Sequence, residues 1–379
     1  MLIYESEELS DIRAQARRFI EEKVVPRGED WEAQGTVPRE VLQQMGSLGF
    51  FSVNVPEDDG GLGLGALGSA VLAEELGRST FGGFAITAIA HVDLAMRYLL
   101  RSGTSAQKER WLPGLMAGTS IGALAVTEPD AGSDVAGMRT TARRDGDGFV
   151  LDGSKMFITN GVHADLAFVA ARTNTTAKAS RGISIFAVEK GTDGFSVSRA
   201  LSKMGWKSSD TAELSFQDAW IPEGNLIGDI DTGFYQIMRN FQHERLVLGA
   251  MAAGEAARAL EITLDYVKNR VAFGQPLWNK QTIRHRLAMR ASELVAARQL
   301  VYHGAWMIDQ GADAVTEVSM VKAVMGELTN AVMYDCVQFH GGMGYMTESV
   351  IERMYRDARI HPIGGGATEV MLDEIAKRM

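Results

Sequence analysis

Twice along this chain the period of the hydrophobic residues changes, and that alternation limits the fold more than any single motif does. Leu9, Ile12, Ala16, Phe19 and Ile20 recur at helical spacing between Ser6 and Val25, and shorter runs of the same period follow at residues 41–49, 68–76 and 85–100. From about residue 120 the pattern breaks into short β-branched and aromatic runs, FVLDGSKMFITNG, ADLAFVAART, RGISIFAVEKG and TAELSFQDAWIP, punctuated by Gly, Asp, Asn and Pro. After Gly233 helical spacing returns over residues 235–270, 280–309 and 314–340, joined by short turns such as AFGQPLWNK and DQGAD. The reading is an α+β, mainly α chain. It has an N-terminal helical domain over residues 1–119, a middle antiparallel β sheet or barrel over 120–228, and a C-terminal helical bundle over 229–379. Residues 249–260, GAMAAGEAARAL, are rich in Ala and Gly, which predicts a close helix seam within the chain or between subunits.

Charge and cysteine content remove several function classes. Lys plus Arg number 38 against 48 Asp plus Glu, a net charge of -10, so the overall field repels nucleic acid and anionic membranes and any anionic ligand must be held by local groups. The lone cysteine, Cys336, excludes an intramolecular disulfide, a thiolate zinc site and an iron–sulfur cluster, and is read as a buried inert thiol in a reducing cytoplasm. The start MLIYESEELSDIRAQ lacks the order of a signal peptide, and the longest apolar stretch, GGFAITAIA at 82–90, is far short of the roughly 20 residues of a membrane span. No membrane insertion is expected. No histidine pair has ligand spacing, so no metal is expected, and neither GxSxG nor GxxxxGK[ST] occurs. Gly63, Gly65 and Gly68 have GxGxxG spacing, but PEDDGG separates them from the preceding FFSVNV, so the segment reads as a turn opening a helix rather than a dinucleotide site.

The segment LAVTEPDAGSDVAGMRTTA, 124–142, ends a β-like run in a Gly- and Asp-rich loop that presents backbone amides and the Ser133 hydroxyl, a rigid surface for a flat polar heterocycle. KMFITNG, 155–161, then sets Phe157 beside Thr159, an apolar face next to a hydroxyl. Together with RVAFGQPL (270–277), QFHGGMGY (338–345) and ERMYRDAR (352–359), these segments resemble, in order and spacing over essentially the whole chain, the acyl-CoA dehydrogenase family. The resemblance implies that family's fold, with a C-terminal four-helix bundle, and FAD held without a Rossmann motif. It implies a homotetramer with each flavin at a subunit interface, α,β-dehydrogenation of an acyl-CoA to the trans-2-enoyl-CoA, and electron-transfer flavoprotein as acceptor.

By the same resemblance Thr127 would hydrogen-bond the flavin near N5, while Leu124, Val126, Gly132, Ser133, Phe157, Ile158 and Thr159 would frame its ring, Phe157 standing where many relatives have Trp. Ser133 would also face CoA. Arg270, Phe273, Gln281, Gln338, Gly341 and Gly342 would serve the neighbouring subunit's FAD, with Arg270 at the pyrophosphate, and Thr368 and Glu369 would touch FAD, although Ala367 replaces a usual Thr.

The reaction needs a carboxylate at the α carbon, because a thioester α proton does not leave without a positioned base. Most relatives supply it from a Tyr-Glu-Gly-Thr motif after the RDA segment, where this chain has Gly364 and Gly365. A minority, including isovaleryl-CoA and long-chain enzymes, places it in an ERLxxA segment, here FQHERLVLGA, which makes Glu244 the implied base and Arg245 a CoA contact. The Gly365 amide would still polarise the thioester carbonyl, with Gly366 beside the substrate. Three consecutive glycines, 364–366, also predict extra room beside the acyl chain. Two other readings share the fold: a flavin-dependent oxidase or monooxygenase, and an inactive binding subunit.

Overall fold

Ser6 opens the first helix, Glu7–Phe19: its hydroxyl accepts from Leu9 N at 3.3 Å, with Glu7 and Glu8 in the first turn and Arg17 and Arg18 in the last, both matched to the helix dipole. In the computed structural model, which describes residue 4, residues 6–178 and residues 180–379, helices continue to Ser105–Met116, itself opened by a capping box of Thr104 and Gln107. The glycine-rich segment opens helix Gly65–Gly77: Gly65 has φ +61°, and a Cβ there would lie 2.4 Å from Asp309 Oδ1. That carboxylate accepts from Ala66 N at 2.6 Å and Leu67 N at 2.9 Å, so a residue of the C-terminal region caps this helix.

The nine-residue apolar stretch belongs to a longer element than its composition indicates. Residues 82–102 form one helical run, long and apolar enough to cross a membrane, and 89% of its apolar window is buried inside the protein. His91 and Asp93 interrupt the apolar pattern without ending the helix because both are buried with partners. His91 Nε2 donates to Leu115 O at 2.9 Å and Nδ1 accepts from Gly122 N at 2.9 Å, while Asp93 Oδ1 accepts from Asn54 Nδ2, Ser69 Oγ and His243 Nε2, each at 2.7 Å.

The sheet comprises β1 (Gly122–Ala125), β2 (Thr141–Asp145), β3 (Gly148–Thr159), β4 (Leu166–Arg172), β5 (Ile183–Glu189), β6 (Phe195–Ala200), β7 (Thr211–Pro222) and β8 (Leu226–Ile227), in the order β6-β7-β3-β2-β4-β5-β8. It is mixed rather than purely antiparallel, because β1 and β2 both run parallel to β4. β4 and β5 are buried along nearly their whole length, as a strand covered on both faces should be. A register shift in β3 between Lys155 and Ile158 lifts Phe157, at φ +61°, out of the ladder.

Three long helices follow, Gly233–Asn269, Gln281–Asp309 and Val315–His340, with the shorter Val350–Ala358 and Thr368–Ala376 packed on the third. The Ala/Gly-rich stretch makes its seam inside the chain. A Cβ on Gly254 would lie 1.9 Å from Glu74 O, one on Gly77 2.1 Å from Met251 O, and one on Gly249 2.3 Å from Val321. Cys336 is buried, which pushes its thiol up to about 12 and keeps it unreactive.

A methyl at position 254 gains about 1 kcal/mol of helix propensity but meets a backbone oxygen that cannot swing aside. Gly254→Ala is therefore expected to destabilise the protein by about 1–3 kcal/mol, read as a lower urea midpoint with the slope unchanged.

Candidate active site

Helix Gly233–Asn269 turns Glu244 inward, 8% exposed, and neither of its carboxylate oxygens takes part in a hydrogen bond or ion pair within the described residues. Burial raises its pKa to about 7, against the opposing pull of Arg245 and Lys322. Facing it is the loop before helix Thr368–Ala376, where Gly365 and Gly366 hold φ of +68° and +109°, backbone conformations only glycine adopts freely. A Cβ on Gly365 would sit 3.4 Å from Glu244 Oε1 and 2.3 Å from Leu248 Cδ1, and one on Gly366 3.5 Å from Arg245 Nε. Glu244, Arg245, Gly365 and Gly366 thus converge. Before Gly365 the expected extra room is taken by Glu244 and Leu248, whereas a Cβ on Gly364 would meet only ordinary contact, with Ile360 Cγ1 at 3.4 Å.

Two groups absent from the sequence reading set this loop. Lys322, 2% exposed, donates from Nζ to His361 O and, at 3.0 Å, to Gly366 O, and burial lowers its pKa to about 8 although Glu244 pulls the other way. His361 is tied by Nε2 to Glu255 Oε2 at 2.7 Å. Among the described residues the Gly365 and Gly366 N–H groups donate to nothing, so they are available to an acceptor placed before Glu244. The usable signal was Lys322 itself, a lone cation inside the apolar run VSMVKAVM. His243, left without a role by the sequence, bonds Asp93 and stays neutral, burial lowering its pKa to about 4.

A second surface is built where β1 runs out. Met156 N donates to Thr127 O at 2.9 Å, laying segment 124–133 alongside β3, and Lys155 pins the pair from below by donating to Val126 O at 3.1 Å and Glu128 Oε1 at 2.7 Å. Lys155 is fully buried, and Glu128 also accepts from Arg139 N and Thr140 N. Val126 and Ile158 are buried beneath this surface; Leu124, Thr127 and Thr159 are half-buried, and Gly132 and Ser133 lie exposed. Phe157 is 64% exposed, and the Thr127 and Thr159 hydroxyls are without hydrogen bonds among the described residues. An exposed aromatic between unspent hydroxyls suits a flat ring with polar edges.

Arg270, Gly341 and Gly342 line a third feature, a cleft of about 520 Å³ closed by Tyr266, Phe339 and Met346. Phe273, at φ +53° on the hairpin of β9 (Val271–Ala272) and β10 (Gln275–Pro276), is 93% exposed, and Gln281 and Gln338 are exposed nearby in sequence without lining the cleft. Thr368 spends its hydroxyl on Glu327 Oε1 at 3.2 Å, and Glu369 is exposed on the first turn of its helix. No metal-ligand cluster occurs among the described residues.

Sequence models of the acyl-CoA dehydrogenase N-terminal, middle and C-terminal domains match residues 6–119, 123–219 and 231–379. The chain is 41% identical to the mitochondrial long-chain specific acyl-CoA dehydrogenase of Mus musculus, over 99% of this chain and 87% of that protein. It is 38% identical to the mitochondrial isovaleryl-CoA dehydrogenase of Pongo abelii, over 96% and 87%. Among solved structures, a probable acyl CoA dehydrogenase from Mycobacterium abscessus superposes with a TM-score of 0.96 at 41% identity, covering 99% of each chain. An FAD complex of PigA gives 0.95 at 31%, covering 99% of this chain and 98% of that one. A chain from work on the electron transferring flavoprotein of Acidaminococcus fermentans gives 0.96 at 35%, covering 100% and 99%. FAD is the cofactor, and the exposed Phe157 with its two free threonine hydroxyls fits an isoalloxazine.

Lys155→Met leaves Glu128 buried without its cation. The expected cost is about 3–5 kcal/mol of stability, measured by urea unfolding, with FAD retention falling in parallel because the pinned surface loosens.

Proposed function

The chain belongs to the acyl-CoA dehydrogenase family, and we propose that it oxidises an acyl-CoA thioester to its trans-2-enoyl-CoA, with Glu244 taking the α proton while bound FAD supplies the hydride acceptor. The observation that carries this reading is the pairing of an unengaged, buried carboxylate at Glu244 with the free N–H of Gly365 across one pocket. A thioester carbonyl accepting from Gly365 N–H has its α carbon beside Glu244, and enolate charge developing on that oxygen is met by a donor already in place. Burial holds the carboxylate near the protonation equilibrium that suits a base at neutral pH. Lys322 keeps the amides aimed by holding the His361 and Gly366 carbonyls, and Arg245 lies close enough to Gly366 to steer the CoA portion.

FAD would be framed by Thr127, Ser133, Phe157 and Thr159 of one subunit and by Arg270, Gly341 and Gly342 of another. A homotetramer is supported by the exposed apolar rim of the Arg270 cleft, Val271, Phe273, Met343, Tyr345 and Met346, which a second copy would cover. Electrons would pass to electron-transfer flavoprotein, and the likeness to long-chain and isovaleryl-CoA dehydrogenases supports a long or branched acyl group.

In an anaerobic titration with butyryl-, isovaleryl-, octanoyl- and palmitoyl-CoA, one chain class should bleach the flavin. Glu244→Gln should slow that bleaching by about 10²–10⁴-fold with FAD content unchanged; a Gln variant at full rate removes Glu244 as base. Rapid oxygen consumption by the reduced enzyme without an added acceptor would replace the dehydrogenase reading with the oxidase one.

Because the base works deprotonated, kcat/KM in the free enzyme should rise with pH through about 7 and be lost below it. The same shift has a stability sign. A folded-state pKa above the ordinary 4.5 means the native state binds more protons between the two values, so this carboxylate erodes stability as pH climbs from about 4.5 to 7. At pH 8 Glu244→Gln should therefore unfold later than the parent, by on the order of 3 kcal/mol, and the gap should close in acid.

A further inference from the structure

Between the apolar helix run and helix Gly233–Asn269 the contacts march in opposite directions. Asp93 bonds His243, and a Cβ on Gly228, before the long helix begins, would lie 3.2 Å from Ser102 Cβ. The two segments are antiparallel here, so a step of four residues from the Asp93–His243 contact sets Arg97 opposite Arg239. Arg101 follows Arg97 one turn later on the same face.

Arg97, Arg101 and Arg239 thus share one seam and lie within electrostatic reach of one another, and none has a hydrogen bond or ion pair within the described residues. Arg97 is the telling member: it is 8% exposed and its Nε is wholly enclosed without a partner. Two carboxylates are close enough to feel Arg97, but Asp93 Oδ1 already takes three hydrogen bonds and Asp309 uses both oxygens to cap Ala66 and Leu67. Burial, then Arg101, lower the Arg97 pKa to about 9, and burial with Arg239 lowers Arg101, which marks the three as mutually repelling neighbours. A buried guanidinium that no acceptor hydrogen-bonds is costly even with Asp93 and Asp309 in electrostatic reach, and two like charges beside it add to the cost. A doubly charged oxyanion removes both penalties, since guanidinium matches phosphate oxygens in pairs.

We propose that Arg97, Arg101 and Arg239 form a binding site for a phosphate group, brought either by the CoA portion of the thioester or by a free phosphate-bearing solute. The CoA source rests on the proposed function; the free-phosphate source does not.

The test uses the FAD-loaded protein, the Arg101→Gln/Arg239→Gln double variant, whose substitutions are at exposed positions, and Arg97→Met. Thermal unfolding is followed in inorganic phosphate and in pyrophosphate against chloride at matched ionic strength, with CoA and an S-acyl pantetheine titrated separately. Phosphate should raise the melting temperature of the parent and not of either variant, and Arg97→Met without phosphate should melt above the parent. If CoA binds about tenfold more weakly to the double variant while the phosphate-free pantetheine thioester is unaffected, the thioester supplies the group. Stabilisation by phosphate with unchanged CoA affinity assigns a free solute. Equal responses of parent and variants to phosphate and to CoA overturn the site, and so does stabilisation by polyglutamate in the absence of any phosphate effect, which would make the patch a protein-docking surface.

Discussion

Glycine at 254 and at 77 lets two helices from opposite ends of the chain touch backbone to backbone, and the rest of the architecture is arranged around that approach. With side chains at those positions the axes would part, and helix Gly65–Gly77 could not bury Glu74 against the C-terminal helices or Glu75 beside the first helix. As it is, Glu74 meets Arg298 at 2.6 Å, Arg13 at 3.3 Å and the Tyr302 hydroxyl, while Glu75 meets Arg13 at 2.7 Å and Arg17 at 2.9 Å. Those carboxylates are out of water and would be expensive alone, so the close seam and the ion-pair network require each other. The seam also fixes the rotation of helix Gly233–Asn269 about its axis, which decides that Glu244 looks toward Gly365 and His243 toward Asp93.

Polar groups do much of the positioning around the pocket, and they do it from inside. Lys155 with Glu128 and Lys322 with the His361 and Gly366 carbonyls are both ammonium groups sunk under a loop, each holding backbone from beneath while leaving the outer face free. Such an arrangement suits a surface that must stay rigid toward a ligand. The cost of burying the amine is offset by its oxygen partners, and burial leaves each with a pKa of about 8.

How much of this was legible in the sequence depended on how local the cause is. Helix and strand periods, the turn at Gly65 and the opposed changes at Gly365 and Glu244 are local or motif-level signals, and they placed the architecture and anticipated two residues that the fold sets side by side. The parallel pairing of β1 and β2 with β4 was not readable, because alternation within a strand says nothing about which distant strand it joins. The helical run at 85–100 was readable, but the apolar stretch was taken to stop at 90 for a similar reason: Asn54, Ser69 and His243, which let Asp93 be buried on that helix, are all remote in sequence. The seam of the Ala/Gly stretch could be recognised but not assigned, since small residues announce a close approach without naming the neighbour. Lys322 and Lys155 were missed because a lysine is usually a solvated charge, and only tertiary burial distinguishes these two.

The shared space between Gly365 and Glu244 has a consequence for how sequences of this kind can drift. A side chain at 365 collides with Leu248 and brings any carboxylate there against Glu244, so a chain carrying both acids suffers like-charge repulsion and overpacking, whereas a chain carrying neither has no acid in the pocket. The two positions, far apart in the chain, therefore behave as a single unit of inheritance. A side chain at 365 must displace Leu248 before it can sit beside Glu244, so changes at the two positions are coupled through Leu248.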